Sequence, residues 1–249
     1  GEHYKMDGTA GHPEAKSRCN AFLLSANGKL SLFWVGTNSP GKIRWTSTTD
    51  GKNWGAKRII DDGTERKSNY APAAAYFNNR YYVAWTGTNT DHPYIHMLKS
   101  TNSQGSAWGS HVKFDGSGRP EAKSSQGPVL LAANGKLHLS WTGTTKGRMR
   151  WTISSNGTSW QTKSILQDWR IRNTHYAPSL VFHGNRYHLF WTGTNQNHPY
   201  IHTLKSIDAT GSKWFHHLRN IGCPGHRNTV GLKDEQAKKD IVKLMKKGF

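Results

Sequence analysis

Trp34-Val35-Gly36-Thr37, Trp85-Thr86-Gly87-Thr88, Trp141-Thr142-Gly143-Thr144 and Trp191-Thr192-Gly193-Thr194 are one motif written four times, 51, 56 and 50 residues apart. A period of that length marks a repeat architecture in which one supersecondary unit is stacked on its copies. Before each motif an apolar run ends in a tight-turn pair, Asn27-Gly28, Asn78-Asn79, Asn134-Gly135 or Gly184-Asn185. Such pairs tolerate the positive φ that two-residue hairpins need. In the strand that follows, Leu30, Leu32 and Trp34 share a face, as do Tyr81, Val83 and Trp85, then Leu137, Leu139 and Trp141, then Tyr187, Leu189 and Trp191. Period-two alternation of this kind predicts a buried strand face.

A third strand is predicted at 42–48, 94–100, 148–154 and 200–206, followed by a polar turn, a Trp and a fourth strand. Four strands in about 50 residues, repeated, describe an all-β fold: a β-propeller of four to five four-stranded blades. The blades fall at about 20–67, 68–123, 124–172 and 173–220, inside a propeller domain spanning 1–231. A basic tail, 232–249, carries the one helical pattern, a short C-terminal helix over 233–247 with Ala237, Ile241, Leu244 and Met245 on one stripe.

The repeat has a second, longer period. Tyr-Ala-Pro at Tyr70 and Tyr176, and His-Pro-Tyr-Ile-His at 92–96 and 198–202, recur 106 residues apart in blades two and four only. The segment His3-Tyr4-Lys5-Met6-Asp7-Gly8 through Pro13-Glu14-Ala15-Lys16 matches His111 to Lys123, so 1–18 reads as the outer strand of a preceding blade. That strand could close the last blade, help build a fifth, or belong to a ring completed by a second chain, a homo-oligomer. Cys19 and Cys223 stand near the two ends of the repeats, as a ring-closing disulfide or as two separate thiols.

The polar turns carry a family resemblance. Asp50-Gly51-Lys52-Asn53-Trp54, Gly105-Ser106-Ala107-Trp108, Gly157-Thr158-Ser159-Trp160 and Gly211-Ser212-Lys213-Trp214 keep the Gly-x-x-Trp of the Asp-box hairpin, with its Asp displaced or replaced. They resemble degenerate Asp-boxes of sialidase-like propellers over about residues 20–220, in character nearest to propeller lectins. The resemblance implies the fold; the Asp-box itself is a structural hairpin.

Composition bounds the partners. Lys and Arg number 34 against 15 Asp and Glu, a formal charge of +19, with 14 His besides. A field of that sign favours polyanions: anionic polysaccharide ahead of nucleic acid, which stays a possible partner. A mean hydropathy of −0.77 and the lack of any apolar run near 18 residues argue against a membrane-spanning helix. No secretion signal is recognisable, which fits a processed chain as well as a cytosolic one. A secreted or extracellular location is the expectation.

Aligning the third strands puts Arg44, His96, Arg150 and His202 at one position, one cationic or hydrogen-bonding side chain per blade. With Asn89, His92 and Tyr94, and their copies Asn195, His198 and Tyr200, and with Tyr70 and Tyr176, they form the predicted ligand-binding set. Rings for stacking beside directional donors suit sugars. Residues i and i+4 of a strand lie about 13 Å apart, so His92 and His96 are not expected to share a metal ion, and no cofactor is expected. A hydrolase needs two facing carboxylates, and the duplicated set holds none. The leading expectation is therefore a lectin with repeated glycan sites, a non-enzyme. Its alternatives are an enzyme, lyase or hydrolase, on an acidic polysaccharide, since propeller lyases can use His, Tyr and Arg, and an electrostatic binder of polyanions.

Overall fold

Each hairpin pair signalled by the sequence is a hairpin in the structure, a computed structural model that describes residues 3, 5–9, 11–168, 170–194 and 200–220. Asn27 and Gly28, Asn78 and Asn79, Asn134 and Gly135, and Gly184 and Asn185 all take positive φ. These turns lead the first strand of each blade into its second. Blade one is β1 (Phe22–Ala26), β2 (Lys29–Val35), β3 (Gly41–Thr48) and β4 (Arg58–Ile59), with a short β5 (Lys67–Ser68) pairing the start of β3. Blade two is β6 (Ala73–Phe77), β7 (Arg80–Thr86), β8 (Ile95–Ser100) and β9 (Trp108–Lys113). Blade three is β10 (Val129–Ala133), β11 (Lys136–Thr142), β12 (Met149–Ser154) and β13 (Ser164–Ile165). Blade four is β14 (Ser179–His183), β15 (Arg186–Thr192), β16 (Ile201–Ser206) and β17 (Trp214–Asn220). All neighbours within a blade are antiparallel. The protein is an all-β propeller of four blades, and no helix occurs among the described residues. The tail expected to form a helix, and Cys223, lie outside them; Cys19 is in no disulfide among the described residues.

The core lies between blades. One cluster joins Phe33, Val35 and Ile43 of blade one to Val83, Leu98 and Trp108 of blade two. A second joins blades two and three through Phe114, Leu130 and Trp141, and a third joins blades three and four through Met149, Leu189 and Trp214. The two middle blades have a neighbour on each side, and their second strands are buried on both faces, β7 from Tyr81 to Thr86 and β11 from Leu137 to Thr142, whereas His188, Phe190 and Thr192 of β15 are only half-buried. The alternation expected from the sequence marks which neighbour a side chain faces, rather than core against solvent.

Two recurrent contacts fix the blade ends. The hydroxyls of Ser17, Ser68, Ser124 and Thr174 donate to the carbonyls of Val35, Thr86, Thr142 and Thr192, the second residue of each Trp-x-Gly-Thr, across 18 residues every time. Thr86 and Thr142 in turn donate to the carbonyls of Gln126 and Tyr176 in the following blade. In the polar turns Asp50 accepts from the Lys52 and Asn53 amides, Asn156 from those of Thr158 and Ser159, and Asp208 from Gly211. Such bonds hold Asp50 far below the usual carboxylate range, the Asn53 amide first among them. Asp50 and Asp208 are thereby committed to closing their own turns.

Segment 114–124 runs from one blade to the next, pinned by Phe114 N–H to Ile95 O and Ala122 N–H to Phe114 O. The same backbone bond joins Ala15 to Met6, so the N-terminal segment is built like this connector, and it lies against blade one through Trp54 N–H to Gly11 O. Connectors bury the third-strand residues Ile43, Ile95 and Met149 beneath Ile60, Phe114 and Leu166. Ile201 is 50% exposed, with no such connector over it among the described residues.

Candidate functional site

The register of second and third strands pairs each motif tryptophan with one predicted site residue: Trp34 with Arg44, Trp85 with His96, Trp141 with Arg150, Trp191 with His202. The His96 ring lies 5.6 Å from Trp85 and within 16° of parallel, and His202 lies 5.3 Å from Trp191 at the same angle. This explains the motif's glycine. A Cβ at Gly87 would stand 2.7 Å from His96 Nε2, and one at Gly193 2.6 Å from His202 Nε2. At Gly36 and Gly143 it would meet Arg44 Nε and Arg150 Nε at 3.3 Å.

In blade two His96 has a partner that the sequence alignment of third strands did not reach. His111, on β9, places Nε2 2.9 Å from His96 Nδ1. The two rings are 6° from parallel with centroids 5.1 Å apart, close to the largest separation that the N···N distance and the ring radii allow, so they lie edge to edge in one plane. Both rings parallel Trp85, at 5.6 and 5.9 Å. One proton is shared along that N···N line. Burial, then the neighbouring His111, then Lys113 and Arg66, push the His96 imidazole down to about 4. His111 is lowered as well, by partial burial and by Arg66, against the opposing pull of Asp62. The pair is therefore neutral at ordinary pH.

The surroundings hold three cations, each paired with a carboxylate: Arg66 with Asp62, Lys113 with Asp115 at 3.5 Å and Lys123 with Glu121 at 3.3 Å. Arg66 grips Asp62 through Nε and Nη2, at 2.6 to 2.9 Å, in the connector from blade one. Burial works to raise the Asp62 carboxyl, and this fork more than offsets it. Tyr94, two residues before His96 and on the same strand face, has Lys113 Nζ 4.8 Å and Lys123 Nζ 5.3 Å from its ring centre. His92 stacks on Tyr94 at 5.8 Å. Asn89 is occupied otherwise: its Oδ1 accepts from the Asp91 and His92 amides and shapes the loop. Arg44, His96, Arg150 and His202 thus stand apart on four blades, while His92, Tyr94 and His96 form one group. Asn195 and His198 lie outside the described residues; Tyr200 is half-buried at the start of β16.

Tyr70 and Tyr176 belong to a different place. They line a central funnel of about 850 Å³ bounded by the first strand of every blade, with Asn20, Gln126 and the Ala-Pro pairs beside them. Tyr176 is 58% exposed there. The register places Tyr70, Trp85 and His96 at the same end of the strands of blade two, so funnel mouth and histidine pair open on one side of the ring. No carboxylate lines the funnel among the described residues. Elsewhere Glu14 is tied to Lys16 and Lys57, Glu65 to Lys42, Glu121 to Lys163 and Asp168 to Arg172. Among the described residues no three His, Cys, Asp or Glu side chains gather as a metal site.

No family model matches the chain, and no curated protein does. Solved structures do. An exo-β-1,3-galactanase from Clostridium thermocellum aligns with a TM-score of 0.59 at 12% identity, over 82% of this chain and 48% of that one. An exo-β-1,3-galactanase from Phanerochaete chrysosporium, bound to β-1,3-galactotriose, aligns at 0.56 and 10%, over 84% and 51%. A family-43 enzyme from Xanthomonas citri complexed with xylose aligns at 0.54 and 11%, over 77% and 69%. The chain resembles the family-43 glycoside hydrolase propellers. It spans about half the length of the two galactanases, and the likeness at these identities is one of fold.

The comparison corrects two expectations, the lectin reading and the leaning against an enzyme, because this fold is found in proteins named as glycosidases. In blade two the duplicated position His96 lies where the blade meets the Asp62–Arg66 connector of blade one.

Proposed function

We propose that the protein cleaves acidic polysaccharides by β-elimination, with the His96–His111 pair as its acid–base centre. The observation that carries this reading is the coplanar imidazole pair: a neutral base held on Trp85 amid Tyr94, Lys113 and Lys123, in a chain whose funnel offers no carboxylate pair. Hydrolysis by the usual two-carboxylate route needs that pair. Elimination does not. With the shared proton on His111 Nε2 and donated to His96 Nδ1, His111 turns the lone pair of Nδ1 outward. That nitrogen takes the proton from the carbon beside a uronate carboxylate, while Lys113 and Lys123 hold the carboxylate and stabilise the charge that develops on it. The electron pair left behind forms a C4–C5 double bond and expels the glycosidic oxygen, which receives a proton from the Tyr94 hydroxyl. No water is consumed. The Tyr70 and Tyr176 rings at the funnel mouth give flanking sugars a stacking surface. The net charge of +19 favours approach of a polyanion, and an extracellular place of action goes with such a substrate. The kinship of the turns with Asp-boxes bears on the scaffold alone.

The test is a panel of uronate-containing and neutral polysaccharides, followed by new reducing ends and by the ultraviolet absorbance of the C4–C5 double bond. Cleavage of a uronate polymer with absorbance, lost about 10²- to 10⁴-fold in His111→Ala, is the expected result. Reducing ends without absorbance would put hydrolysis in place of elimination, and no cleavage of any polymer would refute the reading.

A further inference from the structure

The blade junctions alternate. Blades one and two meet at Asp62–Arg66 beside the histidine pair, and the connector from blade three repeats the ion pair as Asp168–Arg172, with His202 at the matching position of blade four. The other two junctions are built on lysine and glutamate. Where the N-terminal segment meets blade one, Glu14 reaches Lys16 at 2.8 Å and Lys57 at 3.5 Å. Where blade two meets blade three, Glu121 reaches Lys123 and Lys163, each at 3.3 Å. Each of these two junctions also holds an arginine next to a motif tryptophan, Arg44 by Trp34 and Arg150 by Trp141.

Three features at the first of them are left open. Lys16, Lys42, Arg44 and Lys57 face a pocket of about 100 Å³ against one lining carboxylate, Glu14. Arg44 makes no hydrogen bond or ion pair among the described residues, although its guanidinium is half-buried. Trp34 also lines the pocket; it is 1% exposed and its Nε1 donor is buried with no partner. The second junction repeats the pattern: Trp141 is fully buried, its Nε1 lacks a partner, and Arg150 makes no hydrogen bond or ion pair among the described residues. Five buried indole N–H groups lack a partner among the described residues, each at a cost of about 1–3 kcal/mol, and the two on motif tryptophans are the ones whose paired strand brings a guanidinium without a hydrogen bond, a combination that calls for an acceptor.

We infer that the Arg44 pocket, and by the same residue pattern the junction at Arg150, each bind the anionic group of an acidic saccharide, a carboxylate or a sulfate ester. The guanidinium supplies a planar fork to two oxygens, the indole N–H a third contact, and the lysine ammonium groups the field. Glu14 and Glu121 hold Lys57 and Lys163 in place and keep each site selective for a single anionic group. The inference takes from the proposed function only that the anion is borne on a saccharide; the preference for an anion stands on the Arg44 pocket and on the arginine and indole that both junctions share.

The experiment follows the indole N–H signals of Trp34 and Trp141 by NMR in the full chain, assigned through Trp34→Phe and Trp141→Phe. The chain is titrated at constant ionic strength with a uronate oligosaccharide, a sulfated oligosaccharide, inorganic sulfate and a neutral oligosaccharide. Both signals are expected to move with one of the two acidic saccharides and not with the neutral one, and whichever moves them names the group as carboxylate or sulfate. Arg44→Gln should weaken the Trp34 response about tenfold or more and leave that of Trp141 unchanged, with Arg150→Gln doing the reverse. Movement with inorganic sulfate alone, equal movement with the neutral sugar, or no movement would overturn the inference. His111→Ala separates the two proposals, since it should abolish cleavage and leave the titration intact. Titration without cleavage would sink the elimination alone, and cleavage without titration the pockets alone.

Discussion

Acidification should unfold this propeller through a residue outside the site, His138. Its ring is fully buried between blades three and four, 5.6 Å from Trp151, with Nε2 2.7 Å from the Tyr187 hydroxyl. Burial raises Tyr187 to about 12, so the hydroxyl keeps its proton and donates it to Nε2. Burial also pushes His138 down to about 4, against a raising contribution from the Ala133 carbonyl, from the usual value of 6.5. The folded state thus binds fewer protons than the unfolded chain between those values, and stability falls as the pH drops from 6.5 towards 4. A shift of about 2.5 units at 1.36 kcal/mol each makes the full loss about 3 kcal/mol, of which about 2 kcal/mol is reached by pH 5. Urea denaturation at pH 7 and pH 5 measures it, with the paired variant His138→Phe/Tyr187→Phe as control, because removing both partners leaves no polar group orphaned. The wild type should lose about 2 kcal/mol more than the variant between the two pH values. Equal losses would show that the buried imidazole does not set the acid limit.

Gly87→Ala should drive His96 off Trp85, costing about 1–3 kcal/mol by overpacking and removing cleavage, readable by thermal denaturation and by the polymer assay. Ser68→Ala removes the donor to the Thr86 carbonyl and the acceptor of the Tyr70 amide in a fully buried place, and should cost about 1–3 kcal/mol in urea denaturation. With both imidazoles held below the usual histidine value, catalysis that depends on a neutral pair should persist below pH 6.5. A rate already half-lost near pH 6.5 would contradict that, and is checked by a pH–rate profile on the intact fraction.

The ring was legible because its signals are local: a turn pair that accepts positive φ, alternation in the next strand, and a tryptophan at a fixed offset. The reason for the motif's glycine was not legible, since it lies in a contact with a side chain on the neighbouring strand. The hydroxyl 18 residues ahead of each motif's second position was present in the sequence four times and is meaningful only once a carbonyl is seen in front of it. His111 escaped because it sits just after a positive-φ residue, Ser110, in a bulged stretch of β9, where aligning strands by period fails. Its segment had been noticed, but as an outer strand and not as half of an acid–base pair. The functional misreading has the same origin: a repeated constellation says that an environment recurs, and in a propeller the environment that recurs most faithfully is the seam between blades.

Those seams carry a parity. Each is made of two unlike halves, a connector bearing either Glu with Lys or Asp with Arg, and a receiving blade bearing either arginine and lysine or histidine. Blades one and three could change places and every half would still meet its complement. Exchanging blades one and two would face the Asp62–Arg66 connector with Arg150 and Lys163 and leave Glu14 to meet the histidines. Recombination within this chain is therefore tolerated in steps of two blades, and a single-blade shuffle fails at its borders although every blade in it is sound.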